Sequence, residues 1–326
     1  MQLVNHTRFP AELFRTVIDI NNDRFAAALV ARVTFDLTPQ GPVPAAEQPW
    51  IVSHTPWENE HGQMDGDEVL YRGGVDVFLF GQAYAPRGAA ELELVVEVGT
   101  FQRRVAVIGD RFWIRRGRDL VPSSPAPFAT MPLTLARAFG GKDQWDGLEV
   151  SYPDNAEGKG YVVEERDAEG KPLPNLEDPL QRIQRWNDRP EPVGLGVCPM
   201  TCGLRARNGI VLDDQSQIRE FKPTLFNSAF PKMIAQKVLP GDLVRVTHVL
   251  PSGHLQFRIP DLRLQARLEF GQEVIERPLA IDQLGIESER RRIFITYRYP
   301  FRYVMYRLQK RGCELFCASE LAGGAK

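Results

Sequence analysis

A chain of 326 residues, 43% of them hydrophobic and 25% charged, has the composition of an ordinary globular protein and the length to bury a sizeable core. Its formal net charge of −2 excludes a dominating nucleic-acid or membrane field. No apolar run approaches the roughly 20 residues of a membrane helix, and the start Met1-Gln2-Leu3-Val4-Asn5-His6 carries neither a basic nor an apolar signal region, so a cytoplasmic protein without membrane insertion is expected.

Leu29 to Leu37 is the first clear element. Its odd positions are apolar, while Arg32, Thr34 and Asp36 face the other way, which predicts a strand with one wet face. The region His54–Glu68 then gathers His54, Glu58, Glu60, His61, Asp65, Asp67 and Glu68. Such clusters can hold calcium or supply acid–base pairs, but Asp65-Gly66-Asp67-Glu68 lacks the alternating ligands and distant glutamate of a calcium loop. A solvated acidic loop is the simpler expectation, with no metal and no cofactor. Strands follow at Val75–Phe80, at Leu92–Val98 with Glu93 and Glu97 outward, at Val105–Ile108 and at Phe112–Arg115.

Residues 121 to 235 hold 13 of the 25 prolines, and proline removes a ladder donor, so continuous sheet is not expected there. Short helices are: one opened by Pro132 and stopped by Gly140-Gly141, another capped by Asp178 with Pro179 at its first position and Leu180, Ile183 and Trp186 on one face. The glycine groups Gly140-Gly141-Lys142, Gly158-Lys159-Gly160 and Gly194-Leu195-Gly196 lack the spacing of a phosphate loop.

Beyond this segment, Leu243–Val249 and Leu255–Ile259 read as a hairpin through Pro251-Ser252-Gly253-His254, and Leu262–Phe270 alternates cleanly. Leu92–Asp110 and Leu262–Asp282 look like strand–turn–strand units of similar length, as a duplication or any β-meander would give. The stretch Arg290–Arg311 carries Arg290, Arg291, Arg292, Arg298, Arg302, Arg307, Lys310 and Arg311 among Tyr297, Tyr299, Phe301, Tyr303 and Tyr306, with no acidic residue. Its period of two puts the aromatics on one face and Arg298 and Arg302 on a cationic outer face suited to solvent or an acidic protein partner rather than nucleic acid. Leu321–Lys326 reads as a frayed tail.

Four cysteines fall in two pairs of equal spacing, Cys198/Cys202 and Cys313/Cys317. Two such pairs have the composition of a four-cysteine zinc site, yet Pro199 replaces the usual knuckle geometry, and small buried hydrophobes explain them as well. No metal is therefore assigned, and no histidine lies near either pair in sequence to activate a nucleophile.

The order of the central motifs is specific. Asp76-Val77 leads into Gly81-Gln82-Ala83-Tyr84-Ala85-Pro86. Gly109-Asp110-Arg111 with Trp113, Pro127-Phe128, Met131-Pro132-Leu133, Arg137–Gly141, Gly158–Tyr161, Leu173–Pro179, Phe226–Ala229, Gly241-Asp242 and Leu250–Pro260 follow. In this order the chain resembles a bacterial family known as a domain of unknown function and encoded beside type VI secretion spike (VgrG and PAAR) and effector genes. The resemblance implies a non-enzymatic adaptor or chaperone that loads an effector onto the spike, and it brings no catalytic residue with it. Gly73-Gly74 and Cys198–Cys202 depart from the family pattern, the second in a stretch that bears on partner choice if it touches the client.

The expected architecture is mainly β: a sandwich-like N-terminal antiparallel lobe (1–120), an irregular Pro/Gly-rich central segment with short helices (121–235), a C-terminal antiparallel lobe (236–320) and a tail (321–326). Partner-binding candidates are the aromatics Phe139, Tyr161, Trp186 and Phe226, the turn residues Gly140, Gly141, Asn175 and Asn227, and the arginines Arg298 and Arg302. Core packing for the aromatics and backbone bonding for the two asparagines are the competing readings. A β-rich hydrolase or carbohydrate-binding protein with its site in the central loops is the alternative function.

Overall fold

The computed structural model describes residues 1–305 and 309–318; the expectations for Tyr306, Arg307 and the tail Leu321–Lys326 fall outside them. The protein is mainly β. Twelve strands of six or more residues carry it among the described residues: β1 (Ala11–Asp19), β2 (Arg24–Thr38), β3 (Val75–Phe80), β4 (Glu91–Val98), β5 (Phe101–Ile108), β6 (Leu243–Leu250), β7 (Gly253–Arg258), β8 (Leu264–Phe270), β9 (Glu273–Pro278), β10 (Ala280–Glu287), β11 (Arg292–Val304) and β12 (Arg311–Cys317). Each strand predicted from the sequence lies on or within a residue or two of an observed one.

Three sheets organise these strands. The largest runs β1–β2–β11–β10–β3, with Ile234–Ala235 beyond β3 and Gly41–Pro44 on the end of β2. A second runs Leu176–Glu177, β5, β4, β6, β7, and a third runs Leu3–Asn5, β12, β8, β9. Most pairings are antiparallel, but β3 and β10 are parallel, with Asp76 opposite Gln283 and Phe80 opposite Glu287. The hairpins β4–β5 and β8–β9 match the two similar strand–turn–strand units, each turning on a glycine of positive φ, Gly99 and Gly271, but they belong to different sheets. The hairpin at Pro251-Ser252 forms as read, joining Leu250 to Gly253.

The ends of the chain do not make separate lobes. Thirteen consecutive residues of β11 pair with β2, and β6 pairs with β4, so both large sheets interleave N-terminal and C-terminal strands. Periodicity reports which face of a strand is apolar and is silent on which strand lies beside it. Apolar residues from all three sheets, such as Val33, Ile295 and Leu284, Val96 and Val244, and Ala266 and Leu315, join one core cluster.

The central segment is irregular, with hairpins and two-residue strands, and it has a core of its own around Trp113, Phe139, Val162, Leu173 and Ile183. The helices expected there are absent from the described residues. After Pro132, itself paired in a short strand, a single 3-10 turn spans Leu135–Arg137. Past Asp178 one turn closes, and then the N–H groups of Gln184 and Arg185 donate to the Asp188 carboxylate at 2.9 and 2.8 Å instead of to helix carbonyls. Leu180 consequently stands 94% exposed. The α-helix present is Gly203–Gly209, just after the Cys198–Cys202 turn.

Candidate functional site: a cleft at one end of the parallel strand pair

The polar face of the largest sheet is not wet. Segment 45–72 crosses it, and beneath that cover Arg32, Thr34, Asp76, Asp282, Thr296 and Arg298 are all buried. Their charges are paired. Arg32 donates to Asp67 at 2.6 Å, to Gln283 at 2.9 Å and to Thr296 at 2.8 Å. Asp282 accepts from Arg298 at 2.8 Å and from Arg72 at 3.0 Å, while Arg72 lies 3.3 Å from Asp76. Asp76 in turn accepts from the Asn227 side chain at 2.8 Å and from the N–H groups of Ser228 and Ala229. Three guanidinium groups thus meet three carboxylates. Burial raises the Asp282 carboxyl, but Arg298 and Arg72 outweigh it and hold the group below its ordinary value.

At the other end of β3 and β10 the sheet opens into a cleft of about 1360 Å³. Its floor takes in Leu79, Phe80 and Glu287. Its walls come from the hairpin around His61, the loop Ser151–Glu157 and the segment Gly194–Cys202. Gly285 decides part of this geometry: a Cβ there would stand 1.9 Å from the Phe294 ring, so only glycine lets Phe294 lie across β10. Trp50 packs on Phe294 with ring centroids 3.9 Å apart, and His61 stacks on Phe80 at 4.4 Å. This aromatic box encloses the Glu287 carboxylate, which accepts from Trp50 Nε1 at 3.0 Å and contacts His61 Nε2 at 2.8 Å. Burial raises the Glu287 carboxyl; the hydrogen bonds from His61 and Trp50 outweigh it, and the net shift is downward.

Glu60, His61 and Glu287 each bring one ligand atom within 4.8 Å of the others, and this is the grouping among the described residues whose spacing would suit a divalent cation. Both Glu287 oxygens already receive a donor, and Arg290 pairs with Glu60 at the same spot. A cation would have to compete with these partners. As built, the set can hold a proton between His61 and Glu287 and present charge to a ligand.

None of the ten candidate residues lines this cleft. Phe139 is buried in the central core, with Tyr161 and Trp186 packed against that core half-buried. Gly140, at φ +147°, leaves no room for a side chain, since a Cβ would sit 2.1 Å from the Asn155 carbonyl oxygen. Gly141 continues that turn at φ +103°. Asn175 is buried and donates to the Ile108 carbonyl at 2.8 Å; Asn227 is buried, donates to the Gly74 carbonyl at 3.0 Å and accepts from the Gly73 N–H at 2.8 Å, as the backbone-bonding reading has it, and it also donates to Asp76. Arg298 is a correction: it is 3% exposed and paired with Asp282, because the face assigned to solvent is covered. Arg302 alone among the ten stands fully at the surface, and Phe226 borders a smaller cavity of about 340 Å³ with Phe14 and Tyr71.

The acidic region His54–Glu68 needs a similar correction. Asp67 is buried against Arg32, and Glu58, Glu60 and His61 line the cleft. Gly194-Leu195-Gly196 and Cys198–Cys202, both without evident chemistry in the sequence, form the opposite wall. The density of acidic and histidine residues at 54–68 was the available signal; Glu287, Glu289 and Arg290 reach the cleft only through the β3–β10 pairing.

The cysteines divide. Cys198 and Cys202 are buried at the two ends of a turn in which Cys202 N–H donates to the Pro199 carbonyl at 2.9 Å. Cys313 and Cys317 are buried on β12, and burial pushes Cys313 up to about 12. No cysteine belongs to the metal-ligand grouping found among the described residues, so the four-cysteine zinc site is not formed.

Residues 22–298 match the model of a family described as "Uncharacterized protein conserved in bacteria (DUF2169)", and the chain belongs to that family. No curated protein and no solved structure gives a significant match. Among the described residues no helix is long and apolar enough to cross a membrane.

Proposed function

We propose that this chain is a non-enzymatic cytoplasmic adaptor that binds a type VI secretion effector and helps load it onto the VgrG/PAAR spike, with the cleft as the seat of a client segment. The observation that carries the reading is the cleft itself. It is large enough for a peptide segment, and its floor is fixed by two core strands. Its rim carries the exposed carboxylates of Glu58, Glu60, Glu157 and Glu289. A floor built on two core strands reduces the ordering cost of association, and a negative rim suits a client segment bearing basic residues. The motif order that resembles spike-associated adaptors supplies the client's class.

Co-expression with a type VI effector and its VgrG/PAAR spike proteins from the same genome tests the reading. A stable complex is expected, and Glu157→Lys with Glu289→Lys should weaken it at least tenfold while leaving the free protein folded. Unchanged effector abundance and secretion after deletion of the gene would overturn the proposal. The second reading, a hydrolase or carbohydrate-binding protein, draws on the His61–Glu287 contact in the same cleft. It predicts saturable binding or turnover of a glycan or ester that His61→Ala abolishes.

A further inference from the structure

Glu60 and His61 are the two turn residues of the hairpin that pairs Trp57 with Met64, and this turn meets the end of β10 at Glu287. The imidazole separates the set from an ordinary acidic cluster. Its ring stacks on Phe80 with centroids 4.4 Å apart and lies at 10° to the Trp50 ring, so Nε2 is aimed by packing. Nε2 stands 2.8 Å from Glu287 Oε1 and 3.8 Å from Glu60 Oε1. Ligand atoms of a tetrahedral zinc ion, each about 2.0–2.2 Å from the metal, lie roughly 3.4 Å from one another. The two observed separations straddle that value, and a shift of about half an ångström at each would match a coordination shell.

The oxygens that face away from His61 are held from behind. Trp50 Nε1 donates to Glu287 Oε2 at 3.0 Å, and Arg290 donates to Glu60 Oε2. An ion on the two Oε1 atoms leaves both of these bonds in place, and donors of this kind orient ligating carboxylates in metal sites. The contact such an ion replaces is the one between His61 and Glu287, after which the imidazole carries its proton on Nδ1. The local field also favours a cation. Seven carboxylates line the cleft against one arginine, Arg290; two of the seven, Asp65 and Asp154, are paired with Arg205 and Arg207, which leaves five.

We infer that Glu60, His61 and Glu287 form a binding site for a divalent transition-metal ion, zinc by ligand preference, with the cleft supplying the fourth position. One imidazole nitrogen and two carboxylate oxygens suit zinc, whereas magnesium and calcium take oxygen shells. Glu287 is buried at the end of β10, so the ion ties a two-stranded ribbon, marginal by itself, to the largest sheet and fixes one wall of the cleft. The site stands apart from the adaptor reading, because the ion binds the chain without any client.

The test uses the full chain, treated with EDTA and dialysed. Calorimetric titration with zinc should show one equivalent bound, saturating at micromolar ion, and millimolar magnesium or calcium should not compete. Cobalt(II) at the same site should give the visible absorption of a four- or five-coordinate ion. His61→Ala and Glu287→Gln should each weaken zinc binding at least about a hundredfold, and Trp50→Phe, which removes the donor to Glu287 Oε2 but keeps a ring, about tenfold. Glu60→Gln alters an exposed turn residue, so it keeps the test open if a buried variant does not fold, and at least about a tenfold weakening is expected. Zinc, and not magnesium, should raise the urea midpoint of the unsubstituted protein. No binding at millimolar zinc, binding unchanged by His61→Ala or Glu60→Gln, equal competition by magnesium, or binding lost instead in Cys198→Ser would each overturn the proposal.

Discussion

Strands β3 and β10 run parallel, and the two ends of this pair hold charges of different kinds. At their starts, Asp76 and Asp282 sit under the cover of segment 45–72, paired with Arg72 and Arg298. At their ends, Glu287 is buried between Trp50 and His61, and the residues just beyond it, Glu289 and Arg290, stand exposed at the border of an open cleft. The same strands thus carry a closed ion network and an accessible one. The difference is made by what covers each end. A covered charge must be matched by a partner because it has lost water, while a charge at the rim stays hydrated and remains free to meet a ligand.

The largest effect should come from breaking the closed end. Asp282→Ala strips Arg298 and Arg72 of a shared carboxylate and should cost about 3–5 kcal/mol in urea unfolding, with Asp76→Ala in the same range. A loss below about 1 kcal/mol for either would mean that water reaches these arginines, and the contrast between the two ends would collapse. At the open end, Glu287→Gln keeps an acceptor for Trp50 but removes the charge that faces His61, and a loss of about 1–3 kcal/mol is expected. Loss as large as at Asp282 would place Glu287 with the closed network.

Acid sharpens the comparison. Asp282 and Glu287 are both held below their ordinary values of 3.8 and 4.5. A carboxylate depressed in the folded state stabilises the fold above its unfolded value and loses that contribution as pH falls through its folded one. Asp178, pulled from 3.8 to about 2 against the effect of burial by Leu180 N–H, Lys232 and Arg103, behaves the same way and sets the lower bound of the window. The urea midpoint should therefore fall steadily from about pH 4.5 downward, and Glu287→Gln should flatten the upper part of that fall. A midpoint independent of pH there would contradict the pairing described. Smallest of all, Arg302→Ala and Glu289→Ala, both at exposed positions, should change stability by no more than about 0.5 kcal/mol.

Much of the secondary structure was legible in the chain. The strand at Val75–Phe80, the hairpin at Pro251-Ser252 and the glycine turns at Gly99 and Gly271 are local devices, written in residues that touch in sequence. The cleft was not legible, because its residues come from positions as far apart as His61, Gly196 and Glu287. Phe139, Gly140 and Asn227 drew attention as conspicuous residues and proved to be internal packing, a tight turn and a network member. A residue held strictly in place by its own fold and one held for a partner look alike in a single sequence.

The sequence by itself determined the β character, the alternation of β2, β8 and β11, the proline-broken central segment and, through motif order, the family. Only the tertiary structure decided that β11 lies beside β2, that the polar face bearing Arg32 and Arg298 is roofed over, and that His61 meets Glu287. The physical reason is the same in each case. Side-chain periodicity fixes which way a residue points relative to its own strand, but whether it points into water, into a carboxylate or into an imidazole depends on segments that arrive from far along the chain.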